Sequence, residues 1–554
     1  MGIRMKKKSF RRPRSVGEFR KDKESKQAAD KEGQQKERPV LTRDLAANIA
    51  TIKARIGSSD DVVFREFVLP LSEPLRAIIV FVDGLSSRDT ILDYILQSLT
   101  TFDGEAADWA QDRRNLAQKL MDHVLNINEV MLQTDLEQII TAILSGETAL
   151  LLEGEDGALI CNTRGWEHRG IEEPESEVAV RGPRVGFNEL LRSNTAQVRR
   201  WIRDPDLRVK SMKIGVRSQT DIALVYLESV ANPELVKEVV QRLARIDLDG
   251  VIESAYLQEY IEDRPYSLFP TIQTTERVDR VVGAVLEGKV GILVDNTPFA
   301  LIAPVTFWEL YYAAEDYYHR WPLTILIRMI RLISFFFSLY LPAIFIALAV
   351  HNPELIPFIL TIKVAGTREG TPFPVVLETL FMEIAIEILR EASVRLPGPF
   401  GQTIGIVGGF ILGDTAVRAG LISPIMTIVV ALTAICSFVS PSFGVAITMR
   451  ILRFPLIIIA QIGGLYGLSI ATIFLLINLA GIRSFGVPFL SPLVPLNLSD
   501  LKDSFFVAPR WMMVKRPSAY EPIDQRRAGS KANNWWEAAF NPPQRRPRGG
   551  GKKR

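Results

Sequence analysis

The chain has 554 residues, 47% of them hydrophobic, with a net charge of +3 and two cysteines. That length holds two or three domains, and two cysteines without ligand spacing, Cys161 and Cys436, exclude a disulfide-stapled secreted domain and a cysteine zinc site. Charge gathers at the ends: residues 1–38 carry 14 Lys/Arg against 6 Asp/Glu, and residues 510–554 carry 12 against 3, so an acidic body ends in two basic tails.

Residues 1–50 form a basic tail, poor in apolar residues and expected to be disordered. The tail lacks the apolar core of a secretory signal, so the head that follows is expected on the cytoplasmic side. Residues 51–175 and 176–320 alternate short apolar strands with amphipathic helices and read as two α/β subdomains. In the first, the pattern predicts strands at 62–69 and 77–82 and a helix starting near its N-cap Asp89. A helix over 135–144 stopped by Gly146 follows, then a hairpin of 149–152 with 158–161. In the second, helix 187–202 leads to a strand pair at 213–216 and 222–227. Helix 233–245 then opens on Pro233, whose missing N–H costs nothing at a first helical position. A further hairpin pairs 290–294 with 299–302 about Asp295-Asn296-Thr297-Pro298.

Residues 321–490 change character. Segments 332–350 and 421–439 are each 19 residues without a charge, and 454–482 is longer still. A helix needs about 20 apolar residues to cross a bilayer, so these read as spans of a polytopic helical membrane domain. Between them, the apolar octet 355–362 is too short to cross and reads as re-entrant or interfacial. Segment 375–395 is helical by period and carries Glu383, Glu387 and Glu391, four apart on one face. Segment 403–419 is rich in glycine. Residues 491–554 form a basic C-terminal tail. Basic residues near span ends set orientation, which places both termini in the cytoplasm and requires an even number of crossings. Four fit if the glutamate helix lies in the interface, and six if it and the octet region cross. The tails read as solvated, with contact to anionic membrane lipid as a further role. No folded basic platform accompanies them, which argues against nucleic acid.

No catalytic constellation stands out. There is no G-x-S-x-G, Walker A, H-E-x-x-H or G-x-G-x-x-G motif, and His123, His168, His319 and His351 are scattered. The expected protein is not an enzyme and needs no cofactor or metal. Ionisable groups at membrane depth are costly and usually face water or a partner charge. Asp414 and Arg418, four apart, form either a structural ion pair or part of an aqueous path. Glu383, Glu387 and Glu391 form either the polar face of an interfacial helix or, repeated around an oligomer, a cation-attracting ring. The glycines of 405–413 serve close helix packing or a lumen, and Val407 and Ile411 are the candidate gate.

Several strings stand together in one order: Arg181-Gly182-Pro183, Thr275-Glu276-Arg277, Glu287-Gly288-Lys289-Val290, Val294-Asp295-Asn296-Thr297-Pro298-Phe299 and Ala303-Pro304-Val305-Thr306-Phe307. Glu315-Asp316-Tyr317-Tyr318, Arg328 and Arg331 precede the first span. Beyond it lie Arg368-Glu369-Gly370-Thr371-Pro372-Phe373-Pro374, Glu387-Ile388-Leu389-Arg390-Glu391-Ala392, Gly401-Gln402 and Arg483-Ser484-Phe485-Gly486-Val487-Pro488. Over about residues 60–515 the chain closely resembles the A subunit of GerA-type spore germinant receptors. The resemblance implies a spore inner membrane, a cytoplasmic two-part head, a transporter-like B subunit and a lipoprotein C subunit. It also implies an A subunit that oligomerises and releases ions when the nutrient signal arrives. Two roles stay open: a ligand-gated ion-conducting subunit, or a non-conducting scaffold, including a sporulation-stage paralogue supporting a germinant receptor.

Overall fold

The computed structural model describes residues 41–71, 74–101, 116–127, 129–165, 174, 177, 181–395, 408–409, 411–504 and 507–528. The chain divides into two compact units, residues 1–166 and 167–554.

In the first unit α1 (Leu45–Ile56) starts at Asp44, whose carboxylate accepts the Ala46 and Ala47 amides. Strands β1 (Val62–Leu69) and β2 (Leu75–Val82) follow. The helical stretch beside Asp89 is capped by Ser87 and passes through a π turn, Ile91–Leu96. Then come α2 (Leu116–His123), β3 (Val130–Gln133), α3 (Leu136–Leu144), β4 (Thr148–Leu152) and β5 (Ala158–Cys161). The sheet is antiparallel in the order β1-β2-β4-β5-β3. Central strands β4 and β5 are buried throughout, as unbroken apolar runs demand.

The second unit begins with a like assembly: α4 (Leu191–Trp201), β6 (Leu207–Ile214), β7 (Thr220–Leu227), α5 (Pro233–Ala244), α6 (Ser254–Ile261), β8 (Gln273–Thr275), α7 (Val278–Leu286), β9 (Val290–Val294) and β10 (Ala300–Ala303). Its sheet runs β6-β7-β9-β10-β8, the first sheet's order repeated. Two elements differ from their sequence-based placement. Helix α4 starts at Leu191 because Asn188 accepts the Leu190 amide in a turn just before it. Strand β6 lies at 207–214 rather than 213–216, since its polar outer face masks the alternation and Gly215, at φ 96°, ends it.

After α8 (Phe307–Tyr311), α9 (Trp321–Ile346) runs for about 39 Å at helical rise and ends in a π turn, Ala347–His351. Next are α10 (Phe358–Arg368), 11 residues and far short of a bilayer, and α11 (Val375–Arg395). The segment read as a 19-residue span is the 15-residue α12 (Pro424–Phe438), started by Ser423 and Pro424. Helix α13 (Phe443–Gly481) begins well before 454 and is broken at Gly464 (φ 55°, ψ −145°). The break reverses the chain. A Cβ on Gly467 would lie 3.1 Å from the Ile459 carbonyl, eight residues back, which no straight helix permits. Both ends of α13 return to one loop: Thr448 donates to the Leu268 carbonyl, and a Cβ on Gly481 would lie 3.7 Å from the Arg264 guanidinium. So α13 is a hairpin of two arms, 443–463 and 465–481.

The ends of the other helices follow from their contacts. His351, closing α9, packs on Gly464 and bonds the Gln461 carbonyl at 2.7 Å, so α9 runs from the second sheet to the hairpin tip. Helix α11 runs back, because Glu383 pairs with Arg453 and Glu387 with Arg450 in antiparallel register. Helix α12 also runs back, since Ser423 bonds Glu378 and Ser437 bonds Arg390. Of these elements, α9 with its π turn and α13 are long and apolar enough to cross a membrane. Phe336, Ile428, Ile435, Ile462 and Ile477 stand exposed on the outer faces of α9, α12 and α13. So much bare apolar surface marks contact with lipid or partners.

The region read as a tail from 491 is described over 491–504 and 507–528. It packs as a strap on the second sheet: Ile523 N donates to the Val230 carbonyl at 2.9 Å and Arg516 Nε to that of Leu286 at 2.8 Å.

Candidate functional site

One charged cluster ties four apolar helices together. Glu383 Oε2 of α11 accepts from Arg453 Nη1 of α13 at 2.5 Å, with the two side chains 1% and 2% exposed. Arg453 Nε donates to the Ser338 carbonyl of α9 at 2.7 Å. One turn along, Glu387 bonds Arg450 at 3.0 Å and Arg390 at 3.1 Å. Arg390 reaches Ser437 of α12 at 3.0 Å and lies over the Phe438 ring. Two carboxylates therefore face three guanidiniums, and the cluster as a whole is cationic. Removing one partner from such a buried pair leaves a stranded charge, a loss of about 3–5 kcal/mol. Glu378, a turn before, accepts from Ser423 Oγ at 2.6 Å and from the Ser423 amide. Its carboxylate thus sits at the positive end of α12. Among the described residues Glu378 Oε2, Glu383 Oε1, Arg390 Nε and Arg453 Nη2 are buried without a hydrogen-bond partner. Buried polar atoms of this kind are where water enters a protein interior.

The residues singled out in the sequence distribute unevenly around this cluster. Glu383 is inside it, Glu387 is at its edge and Glu391 is exposed. Asp414 and Arg418 bond at 2.8 Å, four apart, with the arginine 77% exposed, away from the cluster. Ile411 opens a π turn, Ile411–Thr415, and Val407 lies outside the described residues. Motif reasoning does not single out Arg390, Arg450 or Arg453 as partners of these acids. The spacing carries a signal: acids four apart on one helix and arginines three apart on another each share a face and can meet across a helix pair.

A second network joins α9 to the sheet. Asp316 accepts from Arg331 at 2.8 Å and from Arg328 at 3.2 Å, all three being buried. Arg328 also reaches Asp503 of the strap at 3.3 Å and stacks on the Tyr312 ring at 3.8 Å. Tyr317 OH donates to Asp503 at 2.9 Å. Burial raises the Asp503 carboxyl above its usual value, with Arg328 opposing. Burial likewise lifts the Tyr312 and Tyr317 phenols, keeping both protonated as donors. Beside them Lys289 bonds Glu309, which also accepts from Tyr520 of the strap at 2.6 Å.

Among the described residues no three His, Cys, Asp or Glu side chains gather to hold a metal. Burial pushes the Cys161 thiol up to about 12, which removes thiolate chemistry at neutral pH.

The family model described as "Bacillus/Clostridium GerA spore germination protein" matches residues 50–519. "Spore germination protein KA" of Bacillus subtilis is 41% identical over 497 residues, 90% of this chain and 90% of that protein. The "Uncharacterized membrane protein YfkQ" of the same organism is 40% identical over 87% of this chain and 92% of its own length. In a crystal structure, the N-terminal domain of the A subunit of the Bacillus megaterium spore germinant receptor GerK3 is 34% identical, covering 49% of this chain and 98% of that domain, with a TM-score of 0.39.

Proposed function

We propose that this chain, which belongs to the Bacillus/Clostridium GerA spore germination protein family, is the A subunit of a nutrient-sensing germinant receptor in the spore inner membrane. Its partners would be a transporter-like B subunit and a lipoprotein C subunit, and it would oligomerise and release ions on the signal. The observation that carries this reading is the path of charge from head to bundle. Asp503 and Asp316 hold Arg328 and Arg331 at the foot of α9, and the Ser338 carbonyl on the same helix holds Arg453 and through it Glu383. A displacement of the second sheet or its strap would thus reach the bundle through one rigid helix.

The reading also fixes a topology. Helix α9 leaves the sheet side, α11 returns to it, Gly420 stands beside Gly370 on the far side again, α12 returns, and the two arms of α13 go and come back. That makes six passes and leaves residues 497–528 on the side of the second sheet. These passes use α9, α11, α12 and both arms, with α11 ending and α12 beginning on opposite sides, and leave α10 as an interfacial piece. Cysteine probes at Ser9 and Ser530 should both escape labelling from outside.

Ion flux across vesicles containing the assembled receptor tests conduction. Val407→Ala or Ile411→Ala, at the candidate gate, should make the vesicles leak without a stimulus. Joint charge reversal at Glu383, Glu387 and Glu391 should lower cation flux if these acids feed a lumen. Three arginines already neutralise the first two, so Glu383→Ala alone should instead loosen the bundle by about 3–5 kcal/mol, read as a drop in melting temperature. The same internal neutralisation favours a second reading, a non-conducting scaffold. Vesicles that stay tight with every partner present and germinant added would establish it.

A further inference from the structure

We propose that the groove between the two arms of α13 holds the acyl chains of an anionic phospholipid, with its headgroup phosphate against Arg264. The proposal rests on the membrane reading above. The groove has a volume of about 950 Å³, and Leu452, Ile459, Ile470 and Phe474 form its walls. Asn478 is the one polar residue that the arms contribute to its lining. The arms touch at the tip, where Gly467 meets Ile459, and the loop 263–269 sits against their opposite ends. The space is therefore a wedge, apolar along the helices and lined at the sheet side by the loop.

The chemistry of the mouth differs from that of the walls. Arg264 is exposed, and among the described residues its guanidinium has no hydrogen bond or ion pair. Its neighbour Asp263 does not neutralise it, because Asp263 is already bound by Arg242 at 2.8 Å and by the Phe485 amide at 2.5 Å. Tyr266 beside it is 99% exposed, an amphipathic ring of the kind that settles at headgroup level. An aliphatic slot ending in an unpaired guanidinium matches one molecule with two apolar tails and an anionic head. A helix from a second copy fits less well, since it would press that guanidinium against apolar side chains with no counter-charge.

The test is lipid retention by the full chain. The protein is extracted in mild detergent, exposed to equimolar phosphatidylglycerol and phosphatidylcholine, washed, and its bound phospholipid measured by mass spectrometry. The wild type should retain phosphatidylglycerol in preference. Arg264→Gln should lower the ratio of the two lipids about fivefold, the worth of one basic residue at a membrane surface, and Arg264→Lys should restore most of it. Ile470→Trp, which fills the groove, should lower retention of both lipids, while Ile473→Trp on a surface outside the lining should change neither. An unchanged ratio in Arg264→Gln, or full retention in Ile470→Trp, would overturn the proposal. So would efficient disulfide crosslinking of two Ile470→Cys chains in a bilayer, which would make the groove an interface between copies. A chain recovered without detergent and free of phospholipid would sink the membrane reading as well, whereas a detergent-dependent chain with no lipid preference would sink the groove alone.

Discussion

At the end of α3 the chain reads Leu144-Ser145-Gly146-Glu147-Thr148, and at the end of α7 it reads Leu286-Glu287-Gly288-Lys289-Val290. The backbones match. Gly146 and Gly288 have φ of 92° and 96°, their amides donate to the Ile143 and Val285 carbonyls, and the next amides donate to Ala142 and Ala284. This left-handed stop turns each helix into the fourth strand of a sheet with the same order. The charge that follows differs. Glu147 pairs locally with Arg164, whose side chain is 48% exposed, and the bridge stays within its own unit. Lys289 is buried against Glu309 and the Tyr520 ring, which belong to the foot of the helical bundle and to the strap. One repeated scaffold thus serves in its first copy as a self-contained sheet and in its second as the anchor of α9. A single change of charge after the glycine marks the division.

The largest expected effect lies in the anchor. Lys289→Met should leave Glu309 buried without its cation and cost about 3 kcal/mol or more. Hydrogen exchange should speed up in β9 and in the strap around Tyr520 while β4 stays protected. Uniform acceleration in both sheets would break the comparison. The glycine stops should respond alike: Gly146→Ala and Gly288→Ala each force a side chain into the left-handed region, at about 1–2 kcal/mol. Gly146→Ala should be the worse of the two, since its Cβ would meet the Leu85 carbonyl at 3.0 Å against 3.3 Å to that of Val230. Unfolding of each variant in denaturant checks both values.

A smaller effect depends on pH. Burial raises the carboxyl of Glu287 above its ordinary value, with Arg527 and Lys289 opposing. The folded chain therefore holds that proton more tightly than the unfolded chain does. Its stability benefits from the proton in weak acid and loses that benefit as pH rises through the raised value. Glu287→Gln should flatten the slope of melting temperature on the alkaline side of the ordinary carboxyl range, and an unaltered slope would show that Glu287 is charged throughout. Least affected should be Glu147→Gln, which gives up a partly exposed bridge worth at most about 1 kcal/mol. A larger loss in β4 protection would mean that the first sheet, too, relies on its charge.

The sequence by itself determined the periodic elements. Apolar alternation and glycine stops located the hairpins about 153–157 and 295–298, and the long uncharged runs marked off the helical half. Those signals are local, since a strand or helix advertises its own buried face. The ordered strings around Asp295-Asn296-Thr297-Pro298 and Arg368-Glu369-Gly370 also carried the family. Tertiary structure decided what lies far apart in the chain. Hydropathy treats Gly464 as one more small residue in an apolar run, and only its left-handed backbone folds α13 into two arms. The three glutamates of α11 look equivalent in sequence, yet Arg453 and Arg450 take up two of them because the first arm runs antiparallel alongside. The basic C-terminal stretch looks solvated by composition, yet Asp503, Tyr520 and Ile523 bind it to the second sheet and the foot of α9. In the last two cases a charge or amide found its partner dozens to hundreds of residues away. Chain reversal and burial set that pairing, and no window of neighbouring residues contains it.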